Sequence, residues 1–162
     1  MNDAEAKRLE ALQRYHILDT PPEPAFDDLV HLAAQLCNTP IAAVCLLDAQ
    51  RVWFKARTGV NTVEVPRDCS FAAFTSQQAG TFVVRDTLAD ERFSEHPLVK
   101  SAPPVRFYAG QPLVTPEGHC VGALCVMDRV TRGLTGQQAL ALQRLSRQVL
   151  TQLEVRRHVA DL

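Results

Sequence analysis

The stretch VRFYAGQPLVTPEGHCVGALCVMD, residues 105–128, decides the fold, because it predicts two antiparallel strands joined by a tight turn. The turn is Thr115–Gly118, with proline in second place and glycine in fourth, as a type I turn prefers. The second strand is apolar at nearly every position, so we expect it to be buried on both faces. The first strand contains Gly110 and Pro112, which weaken a ladder, and we expect a bulge or bend there that re-aims side chains near a site.

Before this hairpin, the pattern predicts two helices and another hairpin. Helical spacing of apolar residues extends over about 3–18 and again over 24–37, where Asn38 can form a left-handed cap. Residues 41–48 are apolar on both alternating faces as far as Leu47 and predict a central strand, and residues 52–58 alternate. In this second strand we expect Val52, Phe54 and Ala56 on one face, and a partly wet face with Trp53, Lys55 and Arg57 on the other.

The middle of the chain, residues 59–104, is irregular and is called the middle segment below. It predicts a loop over 59–69, a short helix over about 71–77 and a brief strand over 81–84. Asp86 and Asp90 can each cap a short helical turn by accepting backbone N–H bonds.

The chain closes with a long predicted helix that starts after Thr135 and runs to the end. Thr135 and Gln138 fit a capping box. At 1.5 Å per residue, roughly 25 residues span about 38 Å, which is longer than the sheet beneath them. We therefore expect the far end, residues 154–162, to project and either to contact another chain or domain or to fray.

These elements predict an α+β fold with a five- or six-stranded antiparallel sheet, because consecutive strands are joined mostly by tight turns. The N- and C-terminal helices should cover one face of the sheet. The loops and short helices of the middle segment can then cover only the other face, and a pocket is expected beneath them.

Composition limits the class of function. The chain of 162 residues suits one domain, and its net charge of -1 with five cysteines describes an ordinary globular protein. We expect no nucleic-acid partner, since no global positive field exists, and no membrane partner, since no apolar run approaches about 20 residues. The charged start, MNDAEAKRLEAL, is unlike a secretory signal, and an odd cysteine count favours free thiols, so a cytoplasmic location is expected.

Runs of sequence along nearly the whole chain resemble the GAF domains of bacterial signalling proteins, in the subgroup that often precedes histidine kinase or diguanylate cyclase modules. The matching runs are YHILDTPPEPAFDDLVHLAAQLCNTPIAAVCLLD, WFKARTGV, VPRDCSF, VVRDTLADERFSEHPLV, RFYAGQPLVTPEGHCVGALCVMD and RGLTGQQALALQRLSRQVLTQLEVR. The resemblance implies one domain over 1–162, with an N-terminal helix and connector over 1–23 and a long C-terminal helix over 135–162. It also implies a ligand face under the middle loops and terminal helices that form a parallel dimer bundle.

One stretch departs from the family pattern. The subgroup usually reads Ser-Phe-Cys-Ala-His at the start of the short middle helix, whereas this chain has Ser70-Phe71-Ala72-Ala73-Phe74. The replacement removes an attachment or metal-ligating pair and leaves an apolar wall.

Candidate ligand-binding residues lie in the middle segment and at the start of the 105–128 hairpin. Carboxylates and arginines could bind polar ligand groups, and the alternative is that they serve as caps and surface ion pairs. The phenylalanines could line a pocket or fill it. The candidates are Phe71, Phe74, Asp86, Asp90, Arg92, Phe93, Arg106, Phe107 and Tyr108.

We therefore expect a small-molecule-sensing regulatory domain that is not an enzyme. It should form a homodimer, control a kinase or cyclase output module and need no cofactor beyond an unknown small molecule. Two alternatives stay open: a vestigial dimerisation module without ligand, and a reductase similar to the free methionine-R-sulfoxide reductases, for which Cys69 and Cys120 are the conceivable pair. No histidine pair has ligand spacing, so no metal site is expected.

Overall fold

The computed structural model describes residues 2–162; Met1, the first residue of the predicted domain, lies outside the described residues. The helices are α1 (Asp3–Gln13), α2 (Pro24–Cys37), α3 (Phe71–Thr75), α4 (Pro97–Lys100) and α5 (Gly136–Ala160), with 3₁₀ turns at Thr87–Ala89 and Glu91–Phe93. The strands are β1 (Ile41–Leu47), β2 (Arg51–Thr58), β3 (Glu64–Pro66), β4 (Phe82–Val84), β5 (Phe107–Val114) and β6 (Cys120–Asp128). They form a six-stranded sheet in the order β3-β2-β1-β6-β5-β4, and every neighbouring pair is antiparallel. The predicted fold class is confirmed.

The hairpin of β5 and β6 has the predicted turn but not the predicted bend. The Gly118 N–H donates to the Thr115 carbonyl at 2.9 Å. Pairing stays regular at Gly110 and Pro112, and the register shift falls later, between Leu113 and Val114. Pro112 is tolerated because β4 begins at Phe82, opposite Gly110, and does not extend along β5 as far as Pro112. At Pro112 the β4 side of β5 is therefore an edge, where no N–H donor is needed.

A bulge in β2 changes which face of the sheet some of its side chains point to. Val44 is opposite Ala56 and Cys45 is opposite Phe54, so Lys55 is the extra residue. Ala56 consequently lies in the same core as Trp53, away from Phe54, and the expectation that Val52, Phe54 and Ala56 share a face is wrong for Ala56.

Lys55 is buried rather than wet. Its side chain reaches under the connector between α1 and α2, where Nζ donates to the Thr20 hydroxyl at 2.8 Å and to the Pro21 carbonyl at 2.6 Å. The Glu23 carboxylate lies 2.5 Å from the same nitrogen. Because all three partners accept, the buried ammonium is fully hydrogen-bonded.

Two separate cores flank the sheet, as predicted. The helical core lies between the sheet and α1, α2 and α5. The second core lies between the other face and the middle segment. The largest side chains that are fully buried in the helical core are Leu12, Tyr15, Ile17, Phe26, Leu46, Phe107, Leu113 and Leu124.

The far end of α5 is attached to the domain as far as Arg157, which corrects the expectation that residues 154–162 project. Arg156 donates to the carbonyls of Tyr15 and His16 and to the Glu23 carboxylate. Arg157 donates to Glu117 in the β5–β6 turn at 2.6 Å. Within residues 2–162, no helix combines the length and the apolar character that crossing a bilayer requires.

Candidate functional site

The predicted pocket lies on the expected face of the sheet, but it is closed. Beneath the middle segment the structure leaves a cavity of about 10 Å³. A cavity of this volume holds about one water molecule. Its lining is Cys45, Val52, Phe54, Val65, Ser70, Phe71, Ala72, His96, Leu98, Tyr108, Cys125 and Met127.

An aromatic cluster fills the remaining space; it consists of Phe71, Phe74, Phe82, Phe93, His96 and Tyr108. Phe71 is the central ring, because it stacks on His96 at 4.2 Å and on Tyr108 at 4.4 Å between ring centroids. Phe93 lies 4.7 Å from Phe71, and Phe74 meets Phe93 edge-on at 5.2 Å. Phe71, Phe74 and Phe93 are thus brought together as the sequence suggested, and with Tyr108 they fill the pocket.

Tyr108 explains why β5 contains a glycine. A Cβ at Gly110 would overlap the Tyr108 ring, which lies flat along the strand over residue 110. The Tyr108 hydroxyl is within 2.8 Å of the Thr75 hydroxyl, which itself donates to the Phe71 carbonyl. Burial raises the pKa of Tyr108, so the ring stays neutral and connects β5 to α3.

His96 is a member of the cluster that the sequence did not indicate. Its Nδ1 accepts from the Leu98 backbone N–H at 3.1 Å and caps α4. Burial lowers the pKa of His96 to about 4, so the imidazole is neutral and its proton resides on Nε2. The only sequence signal was Pro97, which commonly follows a cap at the first position of a helix.

The polar candidates form ion pairs with one another outside the cavity. Asp86 accepts from the Leu88 N–H and pairs with Arg106 at 3.0 Å. Asp90 accepts from the Arg92 N–H and pairs with the Arg92 guanidinium at 2.6 Å. Neighbouring guanidinium groups lower the pKa of both carboxyl groups.

Arg92 also lies against the aromatic cluster. Its guanidinium carbon is 5.3 Å from the ring centroids of Phe74 and Phe93, and 5.4 Å from that of Phe82. Cation–π attraction therefore holds Arg92 over the outer edge of the cluster.

Phe107 lies on the opposite face from the pocket, and its assignment to the pocket is wrong. It belongs to the helical core, where the Arg132 guanidinium lies 5.4 Å from its ring centroid. Successive residues of a strand face opposite sides, so Phe107 cannot share the face of Tyr108.

A family model described as the GAF domain matches residues 21–153. The chain belongs to the GAF domain family. A cyclic di-GMP phosphodiesterase of Pseudomonas aeruginosa is 36% identical over 154 residues, which are 94% of this chain and 26% of that protein. This GAF domain therefore spans about a quarter of the length of that relative.

Solved structures of low identity share the fold of this GAF domain. The GAF domain of an Acinetobacter phosphoenolpyruvate-protein phosphotransferase superposes with a TM-score of 0.69 at 16% identity, covering 100% of both chains. A free methionine-R-sulfoxide reductase of Neisseria meningitidis also gives 0.69, at 18% identity, covering 98% of this chain and 95% of its own.

The cysteine pair nearest the pocket of this GAF domain is not the one the sequence suggested. Cys45 and Cys125 line the cavity with sulfur atoms 3.9 Å apart, whereas Cys69 is exposed and Cys120 is partly buried, and neither lines the cavity. The hydrogen bond with Cys125, together with burial, raises the pKa of Cys45 well above its usual value. Among residues 2–162, no cluster of three histidine, cysteine or acidic side chains could hold a metal ion.

Proposed function

We propose that this GAF domain is a non-catalytic regulatory domain of a cytoplasmic signalling protein. An unidentified small molecule would bind under the middle segment, with no resident cofactor, and the response would pass through the sheet to α5. The observation that supports this proposal is that β5 contributes side chains to the cores on both faces of the sheet.

Strand β5 belongs to both cores at once. Tyr108 faces the aromatic cluster, whereas Ala109 and Leu113 face the helical core. Helix α5 packs directly on β5 and β6. Because protein interiors are close-packed, a displacement of Tyr108 changes the surface on which α5 rests.

A second connection joins the sheet to the C-terminal half of α5. Glu23 accepts from Lys55, the bulged residue of β2, and also from Arg156 of α5, each at 2.5 Å. The Tyr15 hydroxyl donates to Glu154 on the same helix. The orientation of α5 therefore depends on the connector and on the sheet.

Hydrogen exchange of the α5 amides tests this transmission. Phe71→Ala removes the central ring against Tyr108, and we expect amide exchange in residues 146–158 to change at least threefold, by analogy with modest coupling energies between sites. Leu88→Ala, an exposed change in the middle segment, is the matched control and should leave α5 unchanged. A response to Phe71→Ala confined to residues 59–104 would contradict the proposal.

Pairing of two copies through the terminal helices is part of the proposal. Leu32 and Leu36 are exposed one turn apart on α2, which packs against α5, and Leu140 and Val155 are exposed on α5. Sedimentation over a concentration series should reveal a dimer, which Leu36→Glu weakens at least tenfold by placing a charge in the interface. Leu88→Glu, on the opposite face, should not weaken it, and a chain that stays monomeric at every concentration would refute pairing.

The output would be a separate module, and the similarity to a phosphodiesterase adds one class to the expected kinases and cyclases. That relative is about four times as long as the matched region. We therefore expect this GAF domain to regulate a phosphodiesterase, cyclase or kinase domain.

The closed cavity favours one rival, a dimerisation module that never binds a ligand. Native mass spectrometry of the purified chain separates the two, because a sensor retains or takes up a small molecule and a vestigial module does not. A reductase is disfavoured, since a raised pKa keeps the Cys45 thiol protonated and thiols attack as thiolates. Turnover of free methionine-R-sulfoxide with a thiol reductant would overturn the non-catalytic assignment.

A further inference from the structure

Phe71 is stacked against two other rings of the aromatic cluster. Its ring is parallel to Tyr108 within 14° and to His96 within 30°, with both centroids less than 4.5 Å away. Both separations are slightly shorter than the range of about 4.5–7 Å that is usual for attracting aromatic pairs, so Phe71 is in close contact with both rings. Tyr108 and His96 are therefore the two walls of a slot that is one ring wide.

The rest of the slot is uncharged. The cavity beside Phe71 is lined at the sheet by Cys45, Phe54, Cys125 and Met127, and none of its twelve lining residues is ionic. Removing the Phe71 ring would join its volume to this cavity. The enlarged space would accept a flat, uncharged ring and would reject a charged group, because a buried unpaired charge is strongly unfavourable.

His96 adds one polar contact to the slot. The residue is 3% exposed and its Nδ1 already accepts from Leu98, so the remaining proton lies on Nε2. The hydrogen bond of the His96 ring to residues 2–162 is made by Nδ1, and Nε2 is not among the buried atoms left without a partner, so this nitrogen has access to open space. A ligand atom that accepts a hydrogen bond could satisfy this donor.

Phe71 can leave the slot because α3 is a short element. The helix has five residues and is followed by the exposed stretch 77–80. Ser70 caps its start, and its end is attached to the sheet by the contact between the Thr75 and Tyr108 hydroxyls. Short elements with few anchors open locally at low free energy.

We propose that Phe71 is an internal occupant of a binding slot for a planar, uncharged aromatic ligand with one hydrogen-bond acceptor, and that this ligand enters between His96 and Tyr108 when α3 withdraws Phe71. The inference rests on the proposed function, because it assigns a ligand class and a form of autoinhibition to the sensing face. Since Phe71 competes for the slot, the apparent affinity for the ligand equals the intrinsic affinity multiplied by the fraction of molecules in which the slot is open.

Binding of pyridine and benzene to variants tests the slot. Calorimetry or ligand-observed NMR should show that Phe71→Ala binds pyridine at least tenfold more tightly than the unmodified chain does. Thr75→Val keeps the Phe71 ring but removes the contact between the Thr75 and Tyr108 hydroxyls that holds α3 to the sheet. This variant should bind pyridine severalfold more tightly than the unmodified chain. It keeps the slot testable if Phe71→Ala folds poorly.

Leu142→Ala is the matched control, because it opens a void in the helical core instead. Apolar voids of this kind take up benzene, so benzene binding alone does not distinguish the two faces. The slot predicts a higher ratio of pyridine to benzene affinity in Phe71→Ala than in Leu142→Ala, and His96→Phe in the Phe71→Ala background should abolish that preference. Equal ratios in all variants, or pyridine binding to the unmodified chain as tight as to Phe71→Ala, would overturn the inference.

The result separates the slot from the proposed function. If Phe71→Ala binds pyridine but amide exchange in α5 does not change, the slot is supported and transmission from the sheet to α5 is refuted. If Phe71→Ala changes amide exchange in α5 but binds no pyridine, the slot is refuted and transmission to α5 is still supported.

Discussion

The two faces of the sheet are covered by different kinds of structure. On the helical side, α2 and α5 contribute 14 and 25 residues of regular helix. On the other side, the middle segment contributes α3, α4 and two 3₁₀ turns, none longer than five residues. Long helices satisfy their own backbone hydrogen bonds, whereas short turns depend on caps and on side-chain contacts.

The two faces of the sheet therefore differ in how easily their covering structure can open. Caps from Ser70, Asp86, Asp90 and His96 hold the turns of the middle segment, and stacked rings hold the turns to the sheet. Each such contact contributes only about 1 kcal/mol, so this side can open while the sheet and helical core persist. The proposed ligand entry therefore belongs on the middle-segment side, and the proposed transmitting helix lies on the other side.

The largest expected effect compares one buried ring from each side. Phe26→Ala in the helical core and Phe93→Ala in the aromatic cluster each remove a fully buried ring, and each should lower the free energy of unfolding by about 3–5 kcal/mol. Hydrogen exchange should then separate them, because Phe26→Ala exposes the slowest amides of β1 and β6 while Phe93→Ala mainly exposes residues 71–99. Identical exchange patterns would show that the two sides unfold as one unit.

The pH dependence of stability isolates the middle-segment side. Burial lowers the pKa of His96 to about 4, below its usual 6.5, so the unfolded chain binds more protons between these two values. His96 therefore stabilises the fold fully above pH 6.5, and that contribution, on the order of 3 kcal/mol, is lost as the pH falls towards 4. Urea titrations from pH 7 to 4 measure it.

Asparagine at position 96 provides the matched variant for this pH series. It can still accept from the Leu98 N–H but cannot titrate, so His96→Asn should flatten the decline between pH 6.5 and 4.5. His31→Asn, at an exposed position of α2, should retain the decline. A decline that persists in His96→Asn would assign the pH dependence to other groups.

The attachment of α3 predicts a smaller and non-additive effect. Thr75→Val leaves the buried Tyr108 hydroxyl without its partner and should cost about 1–3 kcal/mol, whereas Tyr108→Phe in the same background should add little, because both polar groups are then absent. A double-mutant cycle measured by urea denaturation checks this coupling. Strict additivity would mean that α3 is held by its apolar contacts alone.

The sequence predicted the sheet and the division of its faces, because alternation, turn residues and caps are local signals. Alternation also implies the correct position of Phe107, because neighbouring residues of a strand point to opposite faces and Phe107 directly precedes Tyr108. The bulge at Lys55 was different. One inserted residue reverses the facing of every residue beyond it, and nothing in VWFKART indicates where the ladder shifts.

The pocket could not be predicted because its volume depends on side-chain packing between distant segments. Phe71 and Tyr108 are 37 positions apart in the chain, and only the folded structure shows that Phe71 lies between Tyr108 and His96. The sequence allowed the phenylalanines either to line the pocket or to fill it. A cavity of about 10 Å³ shows that Phe71, Phe74 and Phe93 fill it, whereas Phe107 lies in the helical core.

The smallest expected effect separates capping from charge at Asp90. Its carboxylate accepts from the Arg92 N–H and also pairs with the half-exposed Arg92 guanidinium. Asp90→Ala removes both contacts and should cost about 1 kcal/mol, whereas Asp90→Asn keeps a capping oxygen and should cost less than about 0.5 kcal/mol, because exposed ion pairs contribute little. Urea denaturation, with exchange of residues 91–99, measures both. If asparagine costs as much as alanine, the charge on Asp90 stabilises the turn through Arg92, and the middle-segment side is then held by electrostatics as well as by caps and stacked rings.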